Sequence, residues 1–379
     1  MLFFAMNPWL RAVVAVGGGL LACVSSQGAP APDYLDDNFL YEMRSLLDTP
    51  EAWRGVSGGG HPRAVEGWGP ELQLGQVSGV SVDPQGRPVL FHRGTRVWDH
   101  RTFNVTHHYQ GEDGPLGEDV VLVLDPESGA VVRSWGAGHF LLPHGLTVDQ
   151  RGNTWLTDVG LHQVFKFPPG GEEPELILGE PRVPGSDNTH FCKPTSVAVA
   201  SSGDFFVADG YCNARVLRFA PDGVLKDKFG HPGRDGSPSS LYVPHGLALD
   251  ESLDSLCVAD RENRRVVCMR AGVQEPDVFG EHLRTLQDPY HGRVFDVAAF
   301  KGALVSVGGS EGESAAMGFT TDLRDGQLKD MWRPSRGFHN PHAVALSGDG
   351  TAIYVAEIGP NRVWKFVVDS NGVGTRAMY

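Results

Sequence analysis

The sequence predicts an all-β chain folded as a six-bladed β-propeller, and three observations carry that prediction. Gly and Pro are abundant, at 49 and 26 of 379 residues, while long helix-period stretches are missing, which favours short strands joined by many turns. One apolar, strand-like run recurs along the chain. Its equivalent positions Val80, Leu146, Val197, Leu247, Val297 and Val344 stand 66, 51, 50, 50 and 47 residues apart. A repeat near fifty residues with internal strand alternation is the mark of a radial array of sheets.

Each unit opens with the recurring run and adds further runs after polar turns. Unit one reads QVSGVSVD, RPVLFHRG and TRVWDH, and its longer spacing marks an insertion. Unit two reads LPHGLTVD, NTWLTDVG and HQVFKF; unit three reads KPTSVAVA, DFFVADGY and ARVLRF. Unit four reads VPHGLALD, DSLCVADR and RRVVCM. Unit five keeps RVFDVAAF and GALVSVGG with a degenerate third run, and unit six reads NPHAVALS, TAIYVAEI and NRVWKF. In a blade the first strand runs along the central channel and the second returns antiparallel. The starts of first strands and the ends of second strands therefore gather at one mouth.

Outside the repeats, residues 1–29 read as a secretory signal peptide: one Arg, the apolar core AVVAVGGGLLACV, then small residues. That core is shorter than the ~20 residues of a spanning helix, so the mature chain is expected to carry no membrane span. Residues 30–70 form an N-terminal extension and 71–379 the propeller domain. The expected destination is secretion or the lumen of a secretory granule. A net charge of −14 without any basic run argues against nucleic acid as a partner.

Removing Cys23 with the signal peptide leaves Cys192, Cys212, Cys257 and Cys268, an even set suited to an oxidising compartment. Three pairings are possible in the abstract, and the blade topology selects among them. Cys192 precedes the first strand of blade three and Cys212 follows its second, while Cys257 and Cys268 are symmetric about the turn at 262–263. The expected bonds are Cys192–Cys212 and Cys257–Cys268. The tripeptide Asn104-Val105-Thr106 is a glycosylation sequon.

The position two before each reference residue holds Ser78, His144, Thr195, His245, Phe295 and His342. Histidine thus occupies alternate blades, and three imidazoles related by about 120° in a six-fold ring converge on the channel axis. Three neutral imidazoles with an open position form the ligand set of a catalytic Zn2+ site. Other histidines, among them His61, His107, His108, His231 and His282, share no such register and are expected at the surface. Second-strand ends add Arg93, Tyr211 and Arg261 at the same mouth. Two arginines beside a metal suit an anionic substrate, because guanidinium grips carboxylate bidentately; otherwise they would pair with acids such as Asp260 or Glu262. Cations beside the Tyr211 phenol suit it to act as a base.

These residues make the chain resemble the peptidyl-α-hydroxyglycine α-amidating lyase family over residues 72–368. The strongest pieces are QVSGV, FHRGTRVWD, LPHGL, TDVGLHQVFKF, PGSDNTHFCKPT, VADGYCN, VPHGLALD, LCVADREN and VWKF. The resemblance implies a propeller of NHL-like repeats, zinc on His144, His245 and His342, and a substrate site of Arg93, Tyr211 and Arg261 with Tyr211 as base. It implies cleavage of peptides ending in α-hydroxyglycine to peptide amide and glyoxylate, on substrate supplied by a separate hydroxylating monooxygenase. It also implies a structural Ca2+ held by the backbone carbonyls of Val80 and Leu146 and by an acidic side chain just after the third histidine. Here that residue is Ala343, which leaves the calcium site without its carboxylate unless Glu357 supplies one. Asn340 replaces the usual methionine near the third histidine.

Two other readings compete. A non-enzymatic secreted propeller that binds protein ligands would have no reason for a three-fold histidine set. A propeller hydrolase of lactonase type would place Asp, Glu or Asn where the three histidines stand.

Overall fold

Aspartate-anchored turns set the strand spacing in this fold. Asp83 Oδ1 accepts the backbone N–H groups of Gln85 and Arg87 at 3.0 and 2.9 Å, and Asp149 Oδ1 accepts those of Arg151 and Asn153, both at 2.9 Å. Gly86 and Gly152 complete these two turns at φ +79° and +83°, a conformation that strains any side chain. After each turn the second strand runs back antiparallel to the first.

The computed structural model describes residues 60–69, 72–309 and 315–368. The expected signal peptide, and residues 30–59 of the expected extension, lie outside them. Among the described residues there are six four-stranded antiparallel sheets. Their inner strands are Val77–Val82, Pro143–Val148, Pro194–Val199, Pro244–Asp250, Arg293–Phe300 and Pro341–Leu346. Among the described residues helix is limited to three 3-10 turns of three residues each.

Two expectations are corrected here. TRVWDH is not the third strand of blade one; that strand is Val121–Leu124, paired with Pro88–His92. The insertion of unit one therefore lies between its second and third strands, at the mouth. The degenerate third run of unit five is a full strand, Met317–Asp322, paired with Ala303–Gly309. In addition, Arg63–Ala64 pairs with Arg362–Val367 as the outermost strand of blade six. The propeller thus begins before residue 71, and its last sheet is completed from the N-terminal side.

Hydrophobic seams between neighbouring blades complete the ring. One such seam packs Val77, Val80 and Leu90 of blade one against Ala343, Ala345 and Tyr354 of blade six. Each fully buried Val or Leu contributes about 1.5–3 kcal/mol, so these seams outweigh any single exposed ion pair at about 0–1 kcal/mol. Both expected disulfides are present. Cys257 and Cys268 face each other across paired strands, and Cys192–Cys212 links the two sides of blade three's mouth.

Candidate metal centre and substrate mouth

Each site histidine follows a proline that begins its inner strand. Proline has no N–H to give to a ladder and is at home at a strand start. Pro143, Pro244 and Pro341 pair with Asp158, Asp260 and Glu357, the last residues of the second strands. Immediately after each proline the register shifts, and such an irregularity re-aims the side chain it carries. The partner carboxylates are fully buried and hold the approaching loop. Asp158 accepts the N–H groups of Leu141 and Leu142 at 2.7 and 2.8 Å, and Asp260 accepts that of Tyr242 at 2.6 Å. Glu357 accepts those of His339 and Asn340 at 2.5 and 3.2 Å. Asp209 does the same in blade three, taking the N–H of Cys192 at 2.8 Å. This acid at the end of four second runs was visible in the sequence and missed there.

His144, His245 and His342 are buried, and one nitrogen from each lies within 4.8 Å of the others. Their ring centroids are 4.8, 5.1 and 4.7 Å apart, close to an equilateral triangle. Every Nδ1 donates to a backbone carbonyl: His144 to Thr195 at 2.9 Å, His245 to Phe295 at 2.6 Å, His342 to Ser78 at 2.8 Å. Each acceptor occupies the histidine's own repeat position in the next blade. With Nδ1 protonated, the Nε2 lone pair is left for the axis, the arrangement that orients metal-binding imidazoles.

Electrostatics agrees with neutral rings. Burial, ahead of the neighbouring charges, holds His144 and His245 well below the usual imidazole range and lowers His342 to about 3. These rings are thus deprotonated at neutral pH, as metal ligation requires. His107 also lies near the sulfurs of Cys192 and Cys212, but those sulfurs are spent in a disulfide.

Tyr211 stands over the ring. Its hydroxyl is 3.1 Å from Nε2 of His144 and 3.1 Å from Nε2 of His245. Arg261 Nη1 donates to the same oxygen at 3.3 Å, while Arg261 also pairs with Glu262 at 3.0 Å. The alternative pairing of Arg261 with acid thus holds for Glu262, whereas Asp260 pairs with Arg265 at 2.8 Å. Arg93 is 2 % exposed and has no carboxylate partner among the described residues. Its Nε donates to the Pro143 carbonyl at 3.0 Å and its Nη1 to Gln76 Oε1 at 2.7 Å. Burial lowers it to about 10, against the opposing pull of Tyr211 and Asp158.

Sequence reasoning missed two residues that build this mouth. Trp98 lies 4.7 Å from the Tyr211 ring and 5.2 Å below the Arg93 guanidinium. Gln76 ties them together, because its Oε1 also accepts the Trp98 N–H at 3.2 Å. Trp98 lies inside TRVWDH, whose alternation imitates a strand. Asn104 is exposed on the same insertion; His61, His107, His108, His231 and His282 are exposed as expected, but the expectation fails for His92, His162 and His291, which are buried.

The NHL repeat family matches residues 191–219 and 241–269. The chain is 47 % identical over 313 residues to peptidyl-alpha-hydroxyglycine alpha-amidating lyase 2 of Drosophila melanogaster, covering 81 % of this chain and 76 % of that protein. It is 39 % identical to the probable lyase of that name in Caenorhabditis elegans, covering 78 % of this chain and 83 % of the relative. This chain belongs to the peptidyl-α-hydroxyglycine α-amidating lyase family. Against the peptidylglycine alpha-amidating monooxygenase of Rattus norvegicus it is 42 % identical across 82 % of its length, but spans only 32 % of that longer protein. A gluconolactonase from Xanthomonas campestris shares the fold alone, at a TM-score of 0.54 and 14 % identity over 83 % of this chain and 96 % of that one.

Glu357, the possible substitute for the acid absent at Ala343, has its carboxylate engaged in the protein. Besides the two loop N–H groups, its carboxylate accepts Arg362 Nε and Trp364 Nε1, each at 2.7 Å. Both oxygens are committed, and the residue repeats the structural role of Asp158, Asp209 and Asp260.

Proposed function

We propose that this chain is a zinc-dependent peptidylamidoglycolate lyase, cleaving the N–C bond of C-terminal α-hydroxyglycine to release a peptide amide and glyoxylate. One observation supports it above all: three neutral imidazoles, each oriented through Nδ1, converge beneath a tyrosine hydroxyl within the relevant lyase family. His144, His245 and His342 would hold Zn2+ through Nε2. Zinc supplies Lewis-acid polarisation of a substrate oxygen.

Tyr211 is assigned as the base that takes the hydroxyl proton of α-hydroxyglycine. The freed oxygen pair forms the carbonyl of glyoxylate as the C–N pair leaves with the amide nitrogen. That nitrogen gains one proton, so the reaction is proton-neutral. Arg261 donates to the Tyr211 oxygen and keeps it aimed over the ring. Arg93, hydrogen-bonded to no acid among the described residues, is assigned to the substrate carboxylate through Nη2, which makes no hydrogen bond among them. Trp98 and Gln76 position that guanidinium.

The substrate is a peptidyl-α-hydroxyglycine made by a separate hydroxylating monooxygenase, in a secreted or secretory-granule setting. Two disulfides suit that compartment, and no helix of the described residues is long and apolar enough to cross a membrane. Asn104 is the assigned glycosylation site. The test is glyoxylate release from a synthetic peptidyl-α-hydroxyglycine, with metal content measured on the same sample. Turnover that follows zinc occupancy supports the assignment, and turnover by zinc-free protein at full rate rejects it.

A further inference from the structure

We propose that Lys193 is a positioning residue for the substrate mouth: its ammonium, seated on the Phe103 ring, holds the blade-one insertion so that Trp98 keeps Arg93 and Tyr211 in place. The role rests on the lyase reading for what the mouth binds. Lys193 Nζ lies 4.1 Å from the centroid of the Phe103 ring, a cation–π contact. Phe103 is 5.3 Å from Trp98, and Trp98 in turn packs on Tyr211 and beneath Arg93. An unbroken line of contacts thus joins the start of blade three to the assigned base and to the guanidinium assigned to the carboxylate.

The repeats supply an internal control. Four residues before each reference residue stand Gln76, Leu142, Lys193, Val243, Arg293 and Asn340. Leu142 and Val243 are buried and apolar ahead of the same proline, and Val243 shares the left-handed backbone of Lys193, at φ +60° against +59°. The strand start therefore needs no cation, and the charge at 193 is surplus to it. Gln76, at the same place in blade one, grips the insertion through the Trp98 N–H. Lys193 grips it from blade three.

A buried ammonium is costly unless something offsets its charge. Lys193 is 7 % exposed, and no carboxylate pairs with it among the described residues. The Phe103 face and the His107 ring, whose Nδ1 lies 3.4 Å from Nζ, offset the charge instead. The stem is fixed by its own backbone N–H, which donates to Nδ1 of buried His162 at 3.0 Å. His107 of the insertion and His162 of blade two are thus the titratable groups facing the amine, and His108 adds its charge to both. Burial, ahead of the Lys193 charge, lowers His107 and His162, so both rings are neutral at pH 7 and above. Burial also lowers the amine, to about 8. The charge that holds Phe103 is therefore present at neutral pH and lost as pH rises through about 8.

The experiment compares the full chain as wild type, Lys193→Met, Lys193→Arg, Phe103→Leu, and Lys193→Met combined with Phe103→Leu. Amide hydrogen exchange over residues 98–110 reads the grip without turnover. Glyoxylate release from a peptidyl-α-hydroxyglycine gives kcat and KM from pH 7 to 9, with zinc content measured on each sample. Lys193→Met should keep zinc, lose protection over 98–110 and raise KM by roughly 5–30-fold, the scale of one desolvated cation–π contact. Phe103→Leu should do the same from the insertion side, and adding Lys193→Met to it should change little. Lys193→Arg, charged throughout this range, should restore protection and KM. Wild-type KM should climb above pH 8 more steeply than that of Lys193→Arg. Unchanged protection and KM in Lys193→Met overturn the proposal. So do an arginine variant no better than the methionine one, equal pH profiles for wild type and Lys193→Arg, and fully additive effects in the double variant. A wild type that releases no glyoxylate counts against the lyase reading, while hydrogen exchange still decides the grip.

Discussion

His342 donates from Nδ1 to the carbonyl of Ser78 at 2.8 Å, joining residues 264 positions apart in the chain. The bond closes the ring of blades and aims a metal ligand in one contact. Removing any of the three histidines therefore affects both the metal and a contact between neighbouring blades. His245→Ala is expected to lose bound zinc and to lower turnover by at least about 100-fold. Elemental analysis beside a glyoxylate assay checks this, and retained zinc with ordinary turnover would contradict the ligand assignment.

Tyr211 touches two of the three imidazoles without being their equivalent in the repeat. Tyr211→Phe keeps the ring faces that pack on Trp98 and removes only the oxygen. Zinc should stay bound, while kcat falls by about 10²–10⁴, the range for loss of a positioned acid or base. KM should change little. A variant with unaltered kcat would remove the tyrosine from the proton path.

Arg93 and Arg261 are not interchangeable in this mouth. Arg261 is compensated by Glu262 and bonded to Tyr211, whereas Arg93 is buried with neutral partners only. Arg93→Lys is expected to lower kcat/KM by roughly 100-fold through loss of planar carboxylate recognition. The loss should shrink sharply for a substrate whose terminal carboxylate is converted to an amide. An equal loss on both substrates would show that Arg93 does not hold the carboxylate. Gln76→Ala should move KM in the same direction by a smaller factor.

The repeat carried most of this architecture in plain view. Inner strands announce themselves through Pro-His and Pro-Thr starts at a spacing near fifty, so the six blades and the alternation of His144, His245 and His342 were legible. The topology then placed Cys192 beside Cys212 and Cys257 across from Cys268. What stayed hidden depends on contacts between blades. Trp98 lies in an insertion whose local pattern imitates a strand, and only its packing on Tyr211 shows its role. Arg63–Ala64 is too short for any periodic signal and becomes a strand by pairing with a partner some three hundred residues away.

Acidification offers a test that needs no substrate. Burial lowers His342 to about 3 in the folded chain, while an unfolded imidazole titrates near ~6.5. Between those values the unfolded state binds the proton and the folded state does not, so stability falls as pH drops through this window. The contribution is fully present above pH ~6.5 and changes by up to about 1.4 kcal/mol per pH unit below it. His144 and His245, also lowered, add to the slope, whereas Asp296, raised to about 7, opposes it. The comparison of interest is therefore a difference. In metal-free protein, denaturant unfolding at pH 7 and pH 5 should show a smaller stability loss for His342→Gln than for wild type. Bound zinc should steepen the wild-type loss, because protons and metal compete for Nε2. Equal slopes in wild type and His342→Gln would mean that this imidazole is not held neutral by the fold.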